Sequence, residues 1–166
     1  MKKPIILIVN GPNLNLLGIR QPEIYGTVTM DEILKDLKKD FRDVKILYFQ
    51  SNHEGLLIDR IHSAQYGLDC LGDNYPEEFF ELMVDKADAI VLNAGGFTHT
   101  SVALRDAVAS VTIPVIEVHL SDISNREEFR RHSYLTDVCR ATIAGLGPAV
   151  YDAGVSKALE LLEKER

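Results

Sequence analysis

Short blocks of consecutive apolar residues recur along the chain, separated by stretches in which apolar positions return every three or four residues. Blocks of the first kind read as strands buried on both faces, and the stretches between them as the helices that cover those faces. Ile5–Val9, Val44–Phe49, Ala89–Leu92 and Val115–Val118 are the clear blocks, and Ala141–Leu146 is a weaker fifth. Met30, Ile33, Leu34, Leu37 and Phe41 form a helical stripe, with Thr29 in the N-cap position and Glu32 three residues later, the spacing of a capping box. Leu56, Leu57 and Ile61 make a second stripe, Val102, Leu104, Ala107 and Val108 a third, and Val155, Ala158, Leu159 and Leu162 a last one.

Strands alternating with helices predict right-handed βαβ units and a parallel sheet covered on both sides. Five strands in 166 residues favour a single α/β domain, a flavodoxin-like doubly wound three-layer fold with strand order 2-1-3-4-5. Such sheets bind ligands beyond the carboxyl ends of their strands, near the switch in strand order. Those ends are unusual here. Asn10-Gly11-Pro12-Asn13 follows the first block, Gln50-Ser51-Asn52-His53 the second, Asn93-Ala94-Gly95-Gly96 the third and His119-Leu120-Ser121-Asp122 the fourth. Four strand ends rich in Asn, His, Ser and Gly predict one polar cup.

Composition narrows the functional classes. Eighteen Lys+Arg against 25 Asp+Glu leave a formal net charge of −7, the wrong sign for a nucleic-acid binder. The longest apolar run, Ile5–Val9, is far short of the ~20 residues of a membrane span and of a signal-peptide core. Two cysteines, Cys70 and Cys139, form neither a disulfide framework nor a CxxC pair. The five histidines show no HxH or HExxH spacing, so metal binding has little support. A cytoplasmic enzyme or small-molecule binder is the expectation.

Glu117 and His119 lie two apart on a strand and therefore face the same side. A carboxylate holding an imidazole suits acid–base work; a histidine capping a loop carbonyl is the bland alternative. The connection 11–26 is long for a βα loop and carries Arg20, Tyr25 and glycines at 18 and 26, as a lid would; a surface loop whose tyrosine merely packs is the alternative these residues alone slightly favour. A phenol of ordinary pKa ~10 is a poor base at neutral pH, and a nearby guanidinium favours its phenolate. Asn93-Ala94-Gly95-Gly96 offers backbone N–H groups suited to an anion, without the GK[ST] of a P-loop. Ser101 lacks a G-x-S-x-G elbow. Arg126, Arg130 and Arg131 follow the His119 loop, either as a substrate clamp or as a solvated face paired with Glu127 and Glu128.

The strings NGPNLNLLGIRQPEIYG, FQSNHEG, NAGGFTHTSVALRD, EVHLSDISNREEFRRHSYLT and the GLG before the last helix closely resemble the type II 3-dehydroquinate dehydratases. The resemblance covers nearly the whole chain. It implies a flavodoxin-like fold, a homododecamer built as a tetramer of trimers, and dehydration of 3-dehydroquinate to 3-dehydroshikimate in the shikimate pathway without metal, cofactor or Schiff base. By position, Tyr25 would be the base beside the ketone, Arg20 would hold it as phenolate, and Asn13 would place a water against the developing enolate. His119 would protonate the departing hydroxyl, oriented by Glu117. Asn93, Ser121 and the Leu120 and Ser121 amides would bind the carboxylate. His99, Arg130 and an Asp106 from a neighbouring subunit would read the hydroxyls. No membrane or nucleic-acid partner is implied.

One stretch departs from that family's pattern. Residues 65–86 are longer than the usual connection, with Asp73 or Asn74 as a cap, Pro76 in a first turn, and Phe79, Phe80, Leu82 and Met83 at helical spacing. A helix from about Pro76 to Lys86 is expected, its apolar face packed on its own subunit. Rival flavodoxin-like roles fit poorly: a receiver domain wants acidic residues where Asn10 and Asn93 stand, and a flavin binder wants a Ser/Thr-rich first loop.

Overall fold

Alternation along the first strand settles the layering. In the computed structural model, which describes residues 2–72, 77–83 and 85–165, Ile6 to Val9 are completely buried in β1 (Ile5–Asn10). Ile6 and Ile8 point to one side of the sheet and Leu7 and Val9 to the other. β2 (Lys45–Gln50), β3 (Ala89–Asn93), β4 (Val115–His119) and β5 (Ala141–Ala144) join β1 in one parallel sheet of order β2-β1-β3-β4-β5. The five strand blocks and their order are as the sequence predicts, with ends moved by one or two residues.

α1 (Pro22–Tyr25) is a single turn within the long first connection, and α2 (Met30–Asp40) follows it. α2 and the C-terminal α6 (Ala149–Lys164) cover the first face, where Ile33, Leu37, Val150 and Val155 meet Ile6, Ile8 and Val118. α3 (Glu54–Tyr66), α4 (Glu77–Met83) and α5 (Val102–Ala109) contribute Leu57, Ile61, Met83, Leu104 and Val108 to the core on the second face, against Leu7, Val9 and Leu92. The Thr29 capping box forms in full: the Glu32 N–H donates to Thr29 Oγ1, and Glu32 Oε2 accepts from the Thr29 N–H at 2.8 Å.

Register brings the polar strand ends abreast. Asn10 aligns with Gln50 on one side and Asn93 on the other, at the point where strand order reverses. The chain leaves β1 so close to β3 that a Cβ on Gly11 would stand 2.3 Å from the Ala94 carbonyl oxygen. Only glycine fits there.

The helix expected over Pro76 to Lys86 is present as α4, but its end needs correction. Asp73, Asn74 and Pro76 lie outside the described residues, and Asp85 and Lys86 are not helical. The Ala87 N–H donates to the Ala64 carbonyl at 2.8 Å, and the Asp85 carbonyl accepts from Arg60 Nη2 at 3.0 Å. A helix reaching Lys86 would use the Ala87 N–H to close its last turn, and here that group is bonded to α3 instead. A 3₁₀ turn at Leu68–Leu71 precedes α4 and was not anticipated. Met83 is fully buried against the α3 core, while Leu82 is 60% exposed. Lys45 Nζ meets Asp85 Oδ2 at 3.0 Å, which ties the end of the segment to the start of β2, the end of the sheet opposite the cup.

Truncating Met83 to Ala should therefore cost about 2–5 kcal/mol of stability while leaving the kinetic constants of the folded protein unchanged. Urea unfolding beside steady-state kinetics checks both. A selective loss of activity would place the segment in the functional site instead.

Candidate active site

The cup is a cavity over the carboxyl ends of β1, β3 and β4. Asn13, Arg20 and Tyr25 line it from the 11–26 connection, Asn93 and His99 from the end of β3 and the turn after it, and His119, Leu120, Ser121, Arg126 and Arg130 from β4 and beyond. Of the predicted site residues only Glu117 and Asp106 are not in its lining. Leu14 and Leu17 are buried and anchor the 11–26 connection, whereas α1 has no buried residue. Asn13 adopts a left-handed backbone, φ 68°, which asparagine tolerates better than most residues. Its N–H donates to Asn52 Oδ1 at 2.9 Å.

Two guanidinium groups flank Tyr25. Arg20 lies 5.7 Å and Arg126 5.8 Å from the ring centroid, within cation–π range. Arg126 Nη1 also donates to the Tyr25 hydroxyl at 3.3 Å and to Ser121 Oγ at 3.2 Å. The bond to Tyr25 raises the Arg126 pKa, so this cation is secure beside the phenol. The residue singled out from sequence was Arg20; the contact to the oxygen belongs to Arg126, one of three arginines among which spacing did not choose. The segment carrying them is not α-helical. Short 3₁₀ turns at Ile123–Asn125 and Glu128–Arg130 replace a helix. Glu127 sits between the two arginines, 3.4 Å from Arg126 Nε and 3.3 Å from Arg130 Nε.

His119 stands against a fully buried carboxylate. Glu117 Oε1 accepts from His119 Nε2 at 2.8 Å and from Ser133 Oγ at 2.5 Å; Oε2 accepts from Thr136 Oγ1 at 2.7 Å and Thr142 Oγ1 at 2.9 Å. Burial pushes the Glu117 pKa up, but the hydrogen bonds from His119, Ser133 and Thr136 outweigh it and bring it down to about 2. An ionised carboxylate only accepts, so His119 Nε2 carries a proton and Nδ1 is the nitrogen left for a ligand. Ser133, Thr136 and Thr142 were missed from sequence, since no linear spacing links them to Glu117.

His99 Nδ1 lies 2.7 Å from the His132 carbonyl oxygen and must donate to it. Burial lowers the His99 pKa. The ring is thereby favoured neutral, with Nε2 free to accept a hydrogen bond. Arg130 Nε is buried and ion-paired with Glu127 without a well-aligned hydrogen bond. Asp106 lies on exposed α5 surface, with Oδ1 3.8 Å from Arg105 Nη1. Among the described residues no three His, Cys, Asp or Glu side chains gather as a metal site requires, and no helix is long and apolar enough to cross a membrane.

A doubly wound sheet with a cavity beyond its strand ends, lined by a histidine bonded to a buried carboxylate, is the arrangement of an enzyme-type site in an α/β protein. Residues 4–159 match the family model for class II dehydroquinases, and the chain belongs to that family. It is 46% identical over 166 residues to a protein named 3-dehydroquinate dehydratase from Polynucleobacter asymbioticus, covering 98% of this chain and 99% of the relative. It is equally 46% identical, over 158 residues, to a catabolic 3-dehydroquinase 2 from Neosartorya fischeri, covering 94% of this chain and 93% of that one. The crystal structure of a type II dehydroquinase from Butyrivibrio crossotus superposes with a TM-score of 0.81 at 37% identity, covering 95% of this chain and 99% of that one.

The Glu117 charge yields a pH prediction. Its pKa is depressed from the ordinary 4.5 to about 2 in the folded state, so its contribution is present above about pH 4.5 and disappears as pH falls through about 2. The shift corresponds to roughly 3 kcal/mol. Wild type should lose stability over that interval more steeply than Glu117→Gln. Parallel acid titrations of the two proteins would sink the assignment of an ionised Glu117.

Proposed function

We propose that the chain binds 3-dehydroquinate in this cavity and removes water from it with Tyr25 as base and His119 as acid. Dehydration of 3-dehydroquinate to 3-dehydroshikimate, a step of the shikimate pathway, is the activity that family membership and the relatives' names support. One observation carries the assignment of roles: a tyrosine flanked by two guanidiniums and a histidine backed by a buried carboxylate line the same cavity.

Arg126, with Arg20, stabilises Tyr25 as phenolate, which takes the proton beside the ketone and leaves an enolate. Asn13 places a water whose hydrogen bond stabilises the enolate oxygen. The enolate then collapses, the carbon–oxygen bond to the β-hydroxyl breaks, and His119 Nδ1–H protonates the departing oxygen as water. Glu117 supplies the counter-charge for the imidazolium. The substrate carboxylate is held by Asn93, Ser121 and the Leu120 and Ser121 amides. Neutral His99 accepts from a hydroxyl through Nε2, and Arg130 donates to another. The sequence of steps uses no metal, cofactor or Schiff base.

Asp106, exposed and outside its own subunit's cavity lining, completes a neighbour's site in a homododecamer arranged as a tetramer of trimers. Light scattering should accordingly return twelve times the chain mass, and a monomer would exclude this role. The protein acts in the cytoplasm, where fractionation of expressing cells should recover it.

An ultraviolet assay of the purified protein with 3-dehydroquinate, following the conjugated enone, tests the activity directly. Tyr25→Phe should bind substrate and lose at least ~10²–10⁴-fold in kcat. Near-wild-type turnover in that folded variant would remove Tyr25 as the base.

A further inference from the structure

The reaction described above leaves unused a chain of hydrogen bonds that runs beneath the cavity. Its members are Asn10 at the end of β1, Tyr151 on α6 and Asn93 at the end of β3, all buried. The Tyr151 hydroxyl donates to Asn10 Oδ1 at 2.9 Å and accepts from Asn93 Nδ2 at 3.2 Å. Asn93 Oδ1 in turn accepts from the Gly95 N–H at 3.3 Å, and Asn10 Nδ2 points at Met30 Sδ, 3.3 Å away.

The direction of this chain is forced from one end. A backbone N–H only donates, so towards Gly95 the Asn93 amide must show its oxygen. Its nitrogen then faces Tyr151. The phenol oxygen has to accept there, which leaves its single proton for Asn10 Oδ1. Asn10 Nδ2 then faces the Met30 thioether, a weak acceptor, and the Tyr48 hydroxyl, to which the Asn10 side chain is also hydrogen-bonded. The oxygen and nitrogen of an amide are nearly alike in shape, and only hydrogen-bond partners decide which way one turns. Nδ2 carries two protons, and Tyr151 takes one. Asn93 lines the cavity, so the other is the donor left for a ligand. Gly154, three residues after Tyr151, lets α6 come close enough for the hydroxyl to reach the strand ends: a Cβ there would stand 2.8 Å from Val91 Cγ1.

We propose that Tyr151 is a positioning residue for the substrate carboxylate, locking the Asn93 amide so that an N–H, not the carbonyl, faces the cavity. This rests on reading the cavity as the 3-dehydroquinate site. A carboxylate only accepts hydrogen bonds, so an amide turned the other way would set oxygen against oxygen.

Steady-state kinetics with 3-dehydroquinate on the whole chain test it through Tyr151→Phe, Asn93→Ala and the double variant. Tyr151→Phe should raise KM about tenfold, the loss expected for a hydrogen bond to a charged group, with kcat changed less than about threefold. Once Asn93 is Ala there is no amide to orient, so the double variant should show the KM of Asn93→Ala alone. KM increases that multiply, or a Tyr151→Phe protein with wild-type KM, would overturn the proposal. Asn10→Ala provides a second route if Tyr151→Phe does not fold. With its acceptor gone, the Tyr151 proton competes with the Gly95 N–H for the Asn93 amide oxygen, the amide is no longer held in one orientation, and KM should rise in the same way; an unchanged KM counts against the relay. The outcomes separate the layers: a wild type inert towards 3-dehydroquinate removes the reading of the site, whereas an active wild type with uncoupled variants removes only the relay.

Discussion

A carboxylate with no access to water, placed in the middle of a buried strand, governs the chemical end of this molecule. Glu117 sits between Ile116 and Val118, both fully buried, and an unpaired charge there would cost several kcal/mol. Its four donors come from three places: His119 on β4 itself, Ser133 and Thr136 beyond the 3₁₀ turns, and Thr142 on β5. Ser133 Oγ also accepts from the Leu135 N–H at 3.0 Å. One carboxylate therefore pins both ends of the arginine-bearing stretch between His119 and Ser133. The chain there has little regular structure of its own, yet it returns to a fixed point, and that return sets Arg126 against Tyr25.

Local sequence signals were sufficient for the frame and for three of the four strand ends expected to form the cup; Gln50 to His53, after β2, do not line the cavity. The alternation of Ile6 and Ile8 against Leu7 and Val9, the Thr29–Glu32 capping box and the polar strand ends are all local signals, and local signals survive folding when tertiary packing agrees with them. What stayed hidden depends on pairs distant in sequence. Arg126 and Tyr25 are 101 residues apart, and nothing near either residue distinguishes Arg126 from Arg130 or Arg131. Ser133, Thr136 and Thr142 are ordinary hydroxyl residues until β4 and β5 are set side by side. The end of α4 was misjudged for the same reason: Asp85 and Ala87 spend their backbone groups on α3, and propensity cannot register a partner on another helix.

The two ends of the sheet are used differently. At the amino end, side chains fasten the extra segment and the strand starts: Lys45 to Asp85, and Asp88 Oδ2 accepting from the Ile5 N–H at 2.7 Å. At the carboxyl end, Asn93 and His119 line the cavity, whereas Asn10 and Gln50 are bonded to Tyr151 and to the Gly11 carbonyl. Five strands of four to six residues separate these regions. The described part of the longer connection into β3 is thus accommodated against α3, the chain after α5 and the strand starts.

On the reading proposed above, acid and base also differ in how they are mounted. His119 is the last residue of a buried strand, hydrogen-bonded to a carboxylate that is itself bonded on both oxygens. Tyr25 closes a single helical turn without a buried residue, held over the cavity by Leu14 and Leu17 on one side and by Arg126 on the other. Arg20, on the connection that bears the tyrosine, faces the ring, whereas the guanidinium bonded to the phenol oxygen belongs to the stretch anchored by Glu117. Tyr25 thus gains that cation only where the 11–26 connection lies over the His119 loop, which is also where the cavity is covered. The hydrogen bond to the base and coverage of the site depend on one contact. The acid side needs no such event, because its counter-charge is built into the strand.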